Sequence, residues 1–205
     1  MASPVGANAM EIGRLYFYGI NRRKSYAAAF PYLQQAAREG YIHAQYLVGF
    51  AYGHGLGVSK NPKKAFYWYR RAARKAHPGA IFNLALAYEK GWGTRSDYKA
   101  AVALYKKAAL LGDPAAQCNL GVAYIDGSGA KRNLSQGMRW LNKAAKKGDA
   151  KAQYNVGLAY LEGEGVKQNL SRARYWLRKA AGQGHSKASG VLRKLEKPRG
   201  DGAAD

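Results

Sequence analysis

The chain has one cysteine in 205 residues, Cys118. That excludes an internal disulfide framework and any zinc site built on paired cysteines. Acidic residues are scarce too: 12 Asp and Glu stand against 34 Lys and Arg, a formal net charge of +22. No apolar run approaches the ~18 residues that a membrane-spanning helix needs. Met1 to Met10 lacks a charged start followed by an apolar stretch of ~7–15 residues, so no signal peptide is visible. The compartment reads as periplasmic, if such a segment was removed, or cytoplasmic. The carboxylates are scattered and form no close recurring pair. The Gly-x-Gly pairs lack the Lys-Ser/Thr of a phosphate-binding loop. No catalytic residues, metal ligands or cofactor are expected. Apolar residues make up 47% of the chain, enough for a folded core.

What fills the chain is a repeat. Tyrosine recurs at Tyr16, Tyr52, Tyr88, Tyr124 and Tyr160, and glycine at Gly19, Gly55, Gly91, Gly127 and Gly163, each time 36 residues apart. A second glycine follows at Gly57, Gly93, Gly129 and Gly165. Ala-Ala pairs at 36–37, 72–73, 108–109, 144–145 and 180–181 keep the same register, with no insertion or deletion. Five units result: 8–43, 44–79, 80–115, 116–151 and 152–187. Residues 1–7 read as a leader, 188–195 as a cap built on Val191, Leu192 and Leu195, and 196–205 as a disordered tail.

Each unit reads as two helices. Ala44, Val48, Gly49 and Tyr52 share one helical face. The glycines that follow end this first helix and let the chain turn at positive φ. The second helix starts at Ser25, Asn61, Asp97, Asn133 or Asn169, all good N-cap residues. Pro62 fits the first helical position, where a missing N–H costs nothing. Gly40, Gly112, Gly148 and Gly184 end the second helix; Ala76 departs from this pattern. Asp113 and Asp149 are expected to cap the next first helix. His77 and His185 occupy that same turn slot. Gly13, Gly49, Ala85, Gly121 and Gly157 allow close helix approach, and Trp68, Trp140 and Trp176 fill gaps between units. One helix pair cannot bury its own apolar stripe, but a stack of at least ~3 can.

The pattern Ala-x-x-x-Leu-Gly-x-x-Tyr-x-x-Gly-x-Gly-Val, an N-cap, then Ala-x-x-Trp-Tyr-x-x-Ala-Ala-x-x-Gly resembles the Sel-one-like repeat family, relatives of tetratricopeptide arrays. Residues 44–76, 116–148 and 152–184 carry it best. The first unit departs, with Ile20-Asn21 where the others have a residue and the second glycine. The resemblance implies an all-α, right-handed α/α superhelix, or solenoid, and a protein-binding role. Family members include signalling adaptors, envelope proteins and immunity proteins against secreted toxins. It also implies that first helices line a concave side and second helices a convex one.

On that footing, candidate partner contacts are Asn83, Asn119 and Asn155, which share one slot with Leu47, and His54, Lys90, Asp126 and Glu162, which share another. Asparagine is a poor helix former, so its mid-helix recurrence needs a reason. The amides can bond an extended partner's backbone or tie adjacent helices together. Trp92, between two glycines, is a candidate hot spot. The cations Arg70, Arg71, Arg74 and Lys75, Lys106 and Lys107, Lys143, Lys146 and Lys147, and Arg178 and Lys179 crowd the ends of second helices. There they complement the helix dipole by ~0.3–1 kcal/mol each, and together they form a basic surface. The expected function is a non-catalytic adaptor, scaffold or toxin inhibitor, whose protein partner carries an acidic segment. The alternative is an anionic polymer, nucleic acid or polysaccharide, or an anionic membrane, held by the basic surface. Against nucleic acid, the Tyr and Trp positions follow the core register. Cys118 falls in an apolar slot and reads as a buried, inert thiol.

Overall fold

The computed structural model describes residues 4–196, with side chains from residue 6 onward. The leader's first three residues and the tail from 197 lie outside the described residues. Eleven helices follow in order: α1 (Pro4–Tyr18), α2 (Tyr26–Arg38), α3 (Ile42–His54), α4 (Pro62–Arg74), α5 (Pro78–Lys90), α6 (Tyr98–Leu110), α7 (Pro114–Asp126), α8 (Leu134–Lys146), α9 (Ala150–Glu162), α10 (Leu170–Gly182) and α11 (Ser186–Glu196). α1 starts inside the stretch expected as a leader. No strand occurs among the described residues. The chain forms two compact units, Met1–Ala108 and Ala109–Asp205.

In the first unit α1 packs on α2, α3 on α4, and each second helix on the next first helix, α2 on α3 and α4 on α5. The second unit repeats this through α7, α8, α9, α10 and α11. The small residues work as their spacing requires. A Cβ on Gly13 would lie 2.8 Å from the Leu33 side chain, one on Gly49 would lie 2.8 Å from the Tyr69 ring, and one on Gly157 would lie 2.8 Å from Leu177. Leu33 and Leu177 are fully buried at these crossings. In the second unit, α11 closes the stack: Leu192 and Ala188 pack with Leu177 and Ala180, and Val191 and Leu195 lie against that cluster.

Every expected N-cap of a second helix is made. Ser25, Asn61, Asp97, Asn133 and Asn169 each accept a hydrogen bond from the N–H three residues on, at 2.9–3.2 Å. Their own N–H groups donate to the carbonyls of Tyr16, Tyr52, Tyr88, Tyr124 and Tyr160. One turn thereby links the two helices of each repeat. Asp113 and Asp149 cap α7 and α9 at 2.6 and 2.7 Å. His77 and His185 perform the same task through Nδ1.

The end of the second helix needs a residue at positive φ. Gly40, Gly112, Gly148 and Gly184 supply it, and Ala76 holds φ +60° in their place. An alanine there costs ~1–2 kcal/mol relative to glycine. Ala76→Gly is therefore expected to raise unfolding stability by about 1 kcal/mol, read from the urea midpoint; an unchanged or lower midpoint would contradict it.

One element of the core was not anticipated. Gln45, Gln117 and Gln153 are each 4% exposed. Their Nε2 groups donate to the carbonyls of Ala37, Ala109 and Ala145 at 3.2, 3.0 and 3.1 Å. Each amide pins a first helix to the end of the preceding second helix, adding a second donor to a carbonyl that already accepts from the N–H of Gly40, Gly112 or Gly148. Ile81 takes the corresponding place in α5 and is fully buried.

Candidate partner-binding site

In the first unit, three of the expected contact residues converge. His54, Asn83 and Trp92 line one cavity of ≈ 380 Å³, walled by Phe66, Tyr69 and Leu86. Trp92 is 55% exposed. Its position follows from the turn. Gly91 ends α5 at φ +70°, and Gly93 continues at φ +75°. A Cβ on Gly93 would run into the Pro62 carbonyl and lie 2.8 Å from the Lys63 Cα. The loop thus lies against the start of α4, and the indole joins Pro62, Lys60 and Phe66 around the opening. His54 stacks on Phe50 at 4.0 Å, with Nδ1 donating to the Phe50 carbonyl at 3.0 Å. Tyr69 is 6% exposed, and burial pushes its phenol far above its ordinary pKa.

The second unit contains the equivalent cavity two repeats on, ≈ 280 Å³, lined by Asp126, Asn155, Glu162 and Glu164 over Ile125 and Leu141. Several of its positions correspond to those of the first cavity: 126 to 54, 141 to 69, 155 to 83 and 164 to 92. Its chemistry differs, since carboxylates replace the imidazole and the indole. Glu164 also pairs with Arg132 at 3.0 Å.

Lys90 and Asn119 line neither cavity. Lys90 pairs with Glu89 at 2.6 Å. Asn119 accepts from the Lys151 amine at 3.0 Å. The amides also bridge neighbouring repeats: Asn83 bonds Tyr46, and Asn155 lies 3.9 Å from the Cys118 sulfur. Cys118 is 1% exposed, and burial pushes its thiol up to about 12, which keeps it protonated.

The basic residues of the second helices lie beside aromatic rings. Arg70 lies over Phe66, Arg71 over Tyr67 and Trp68, Lys143 over Trp140, and Lys179 over Tyr175 and Trp176. Arg74, Lys75, Lys106, Lys107, Lys146 and Arg178 are exposed. Lys147 is exposed as well, and its amine donates to the Gly112 carbonyl at 2.7 Å.

A histidine chain runs through the first unit. The Ala80 N–H donates to His77 Nδ1, so that ring carries its proton on Nε2. Nε2 lies 3.1 Å from His43 Nδ1 and donates to it. His43 then carries its proton on Nε2, 3.4 Å from the Tyr18 hydroxyl. Burial, then Arg14, holds His43 below the ordinary imidazole value; burial, then His43, does the same for His77. The unfolded chain therefore binds more protons below pH ~6.5. Stability is present above that pH and is lost as pH falls through the lowered native values. Thermal unfolding is expected to show a falling midpoint on acidification from neutral pH, flattened by His43→Gln combined with His77→Asn. Equal slopes in parent and variant would contradict this.

The Sel1 repeat model matches residues 9–41, 42–77, 78–113, 114–149 and 150–185. This chain belongs to the Sel1 repeat family. A Sel1 repeat protein from Oxalobacter formigenes is 32% identical, with a TM-score of 0.88 over 97% of this chain and 79% of that one. A protective antigen of uropathogenic Escherichia coli with an SLR fold is 31% identical, with a TM-score of 0.81 over 89% of this chain. This chain spans 39% of that antigen. An immunity protein from Pseudomonas aeruginosa, 21% identical at a TM-score of 0.59, covers 98% of this chain and 74% of its own, and shares the fold alone. No curated protein matches. The architecture is the all-α solenoid of helix hairpins, with α11 as its cap. Sel1 repeat proteins are typically protein-interaction scaffolds. Among the described residues, no helix is long and apolar enough to cross a membrane.

Proposed function

We propose that this chain is a non-catalytic protein-binding scaffold that grips its partner through side-chain cavities beside the first helices. The observation that carries this reading is the seating of exposed Trp92 over the cavity it shares with His54 and Asn83. Such a cavity suits an apolar anchor from the partner, with the Asn83 amide in its wall to orient the partner's backbone. The second unit's cavity, rimmed by Asp126, Glu162 and Glu164, suits an amine or guanidinium, while an acidic segment of the partner would meet the basic surface. An adaptor and a toxin-blocking immunity protein both fit this reading, and the identity of a captured partner separates them.

Selection from a random peptide library tests the reading. Enriched peptides are expected to share an apolar anchor. Trp92→Ala is expected to weaken them about 30-fold or more, the loss of a hot spot worth ~2 kcal/mol. Absence of enrichment, or binding that survives both Trp92→Ala and Asn83→Ala, would overturn it.

A further inference from the structure

A different surface of the second unit carries a separate site. α8 and α10 enclose an open cavity of ≈ 800 Å³, lined by Arg139, Lys143, Lys146 and Arg172 and by no carboxylate. Its aromatic walls are Tyr160, Tyr175 and Trp176. Arg172 is held in place there, donating to the Tyr160 hydroxyl at 3.2 Å. Tyr175 also lines a second cavity, ≈ 640 Å³, with Arg174, Arg178 and Lys179. Glu196 is the one carboxylate lining that second cavity, and it pairs with Arg178 at 3.3 Å.

Tyr175 is 51% exposed. It stands as a ridge between two cationic hollows. Trp176 beside it is partly buried against the core cluster, which anchors this stretch of α10. Carboxylates of an acidic peptide would satisfy the cations, Lys179 over one face of the Tyr175 ring included, but make no use of the exposed remainder of that ring. A polymer that alternates flat rings with phosphates uses both: the ring stacks and the flanking phosphates meet the hollows. The core register does not prevent this, because Tyr175 lies one residue before the inward-facing Trp176 and so faces out.

We propose that the α8–α10 face binds single-stranded nucleic acid without sequence preference, with a base stacked on Tyr175 and phosphates held in the hollows on either side. This site is independent of the protein-binding cavities. It can fail while that reading stands.

Fluorescence anisotropy with the full chain and a labelled twelve-nucleotide oligothymidylate tests it. If four phosphates are neutralised, affinity should fall about 50-fold between about 50 and about 200 mM salt. Tyr175→Ala should weaken binding about tenfold or more, and Tyr175→Phe should keep it. An abasic deoxyribose-phosphate oligomer of the same length should bind about tenfold more weakly than the oligothymidylate. Circular dichroism of both variants should show parental helix content, since Tyr175 is half exposed. Four results would overturn the proposal: no binding; equal affinity for abasic and base-bearing oligomers; parental affinity in folded Tyr175→Ala; or equal competition by polygalacturonate, which would make the site one for anionic glycans.

Discussion

Gly93→Ala is expected to lower unfolding stability by about 3 kcal/mol and to abolish partner binding, while Gly91→Ala costs only about 1 kcal/mol. The two glycines have nearly the same backbone conformation, φ +70° and φ +75°, so the left-handed penalty is common to both. They differ in surroundings. A Cβ on Gly91 would meet nothing nearer than 3.5 Å, an ordinary contact. A Cβ on Gly93 would collide with the backbone at Pro62 and Lys63, which cannot move aside as a flexible side chain can. The loop must lift from α4, and Trp92 leaves the cavity with it. Gly57 has the same problem against the Tyr26 carbonyl. Urea denaturation of the two variants measures the difference. Equal costs at 91 and 93 would mean that the close approach to α4 is unimportant.

Gln153→Ala is the second large effect, about 2–3 kcal/mol. It removes the donor to the Ala145 carbonyl and the oxygen that accepts from Gln183 at 2.8 Å, and it leaves a hole in a buried place. Gln153→Ile is expected to cost less, about 1 kcal/mol. Ile81 already fills the corresponding position fully buried. The Ala145 carbonyl would keep its bond from the Gly148 N–H at 3.1 Å, as the Ala73 carbonyl keeps one from Ala76. Thermal denaturation of both variants decides it. An isoleucine as costly as the alanine would place the whole value of Gln153 in its amide.

These two cases show which features the linear chain reveals. Turn chemistry is local: an N-cap at Asn61 serves an N–H three residues away, and a glycine after Tyr52 answers a local need for positive φ. Both are readable from spacing alone. At 57, 93 and 165 the second glycine is only partly local, since a Cβ there would press on the preceding second helix. In the first repeat that slot holds Asn21 at φ +55°, which asparagine tolerates.

Features made between repeats were harder to read. A glutamine among apolar residues looks like an outward-facing position. Only the carbonyl of Ala37, eight residues earlier and on another helix, shows that Gln45 is buried by design. The His43–His77 bond joins residues 34 apart that occupy different slots of the repeat, so periodicity does not link them. The candidate site was half visible. His54, Asn83 and Trp92 stood out one by one, as unusual residues in regular slots. Their meeting in one cavity depends on where the Gly93 turn sets the indole. Glu164 shares the slot of Trp92, but an acidic loop residue is ordinary in sequence. Its cavity gives it significance.

If partners are gripped beside the first helices, as proposed, the residues of that cavity must report binding. Nuclear magnetic resonance of the full chain, titrated with a selected peptide ligand, tests it most directly. The Trp92 indole and Asn83 side-chain amide signals are expected to shift first and furthest, with the Trp140 and Trp176 indoles nearly unmoved. Shifts confined to Trp140 and Trp176, with Trp92 and Asn83 unchanged, would contradict it.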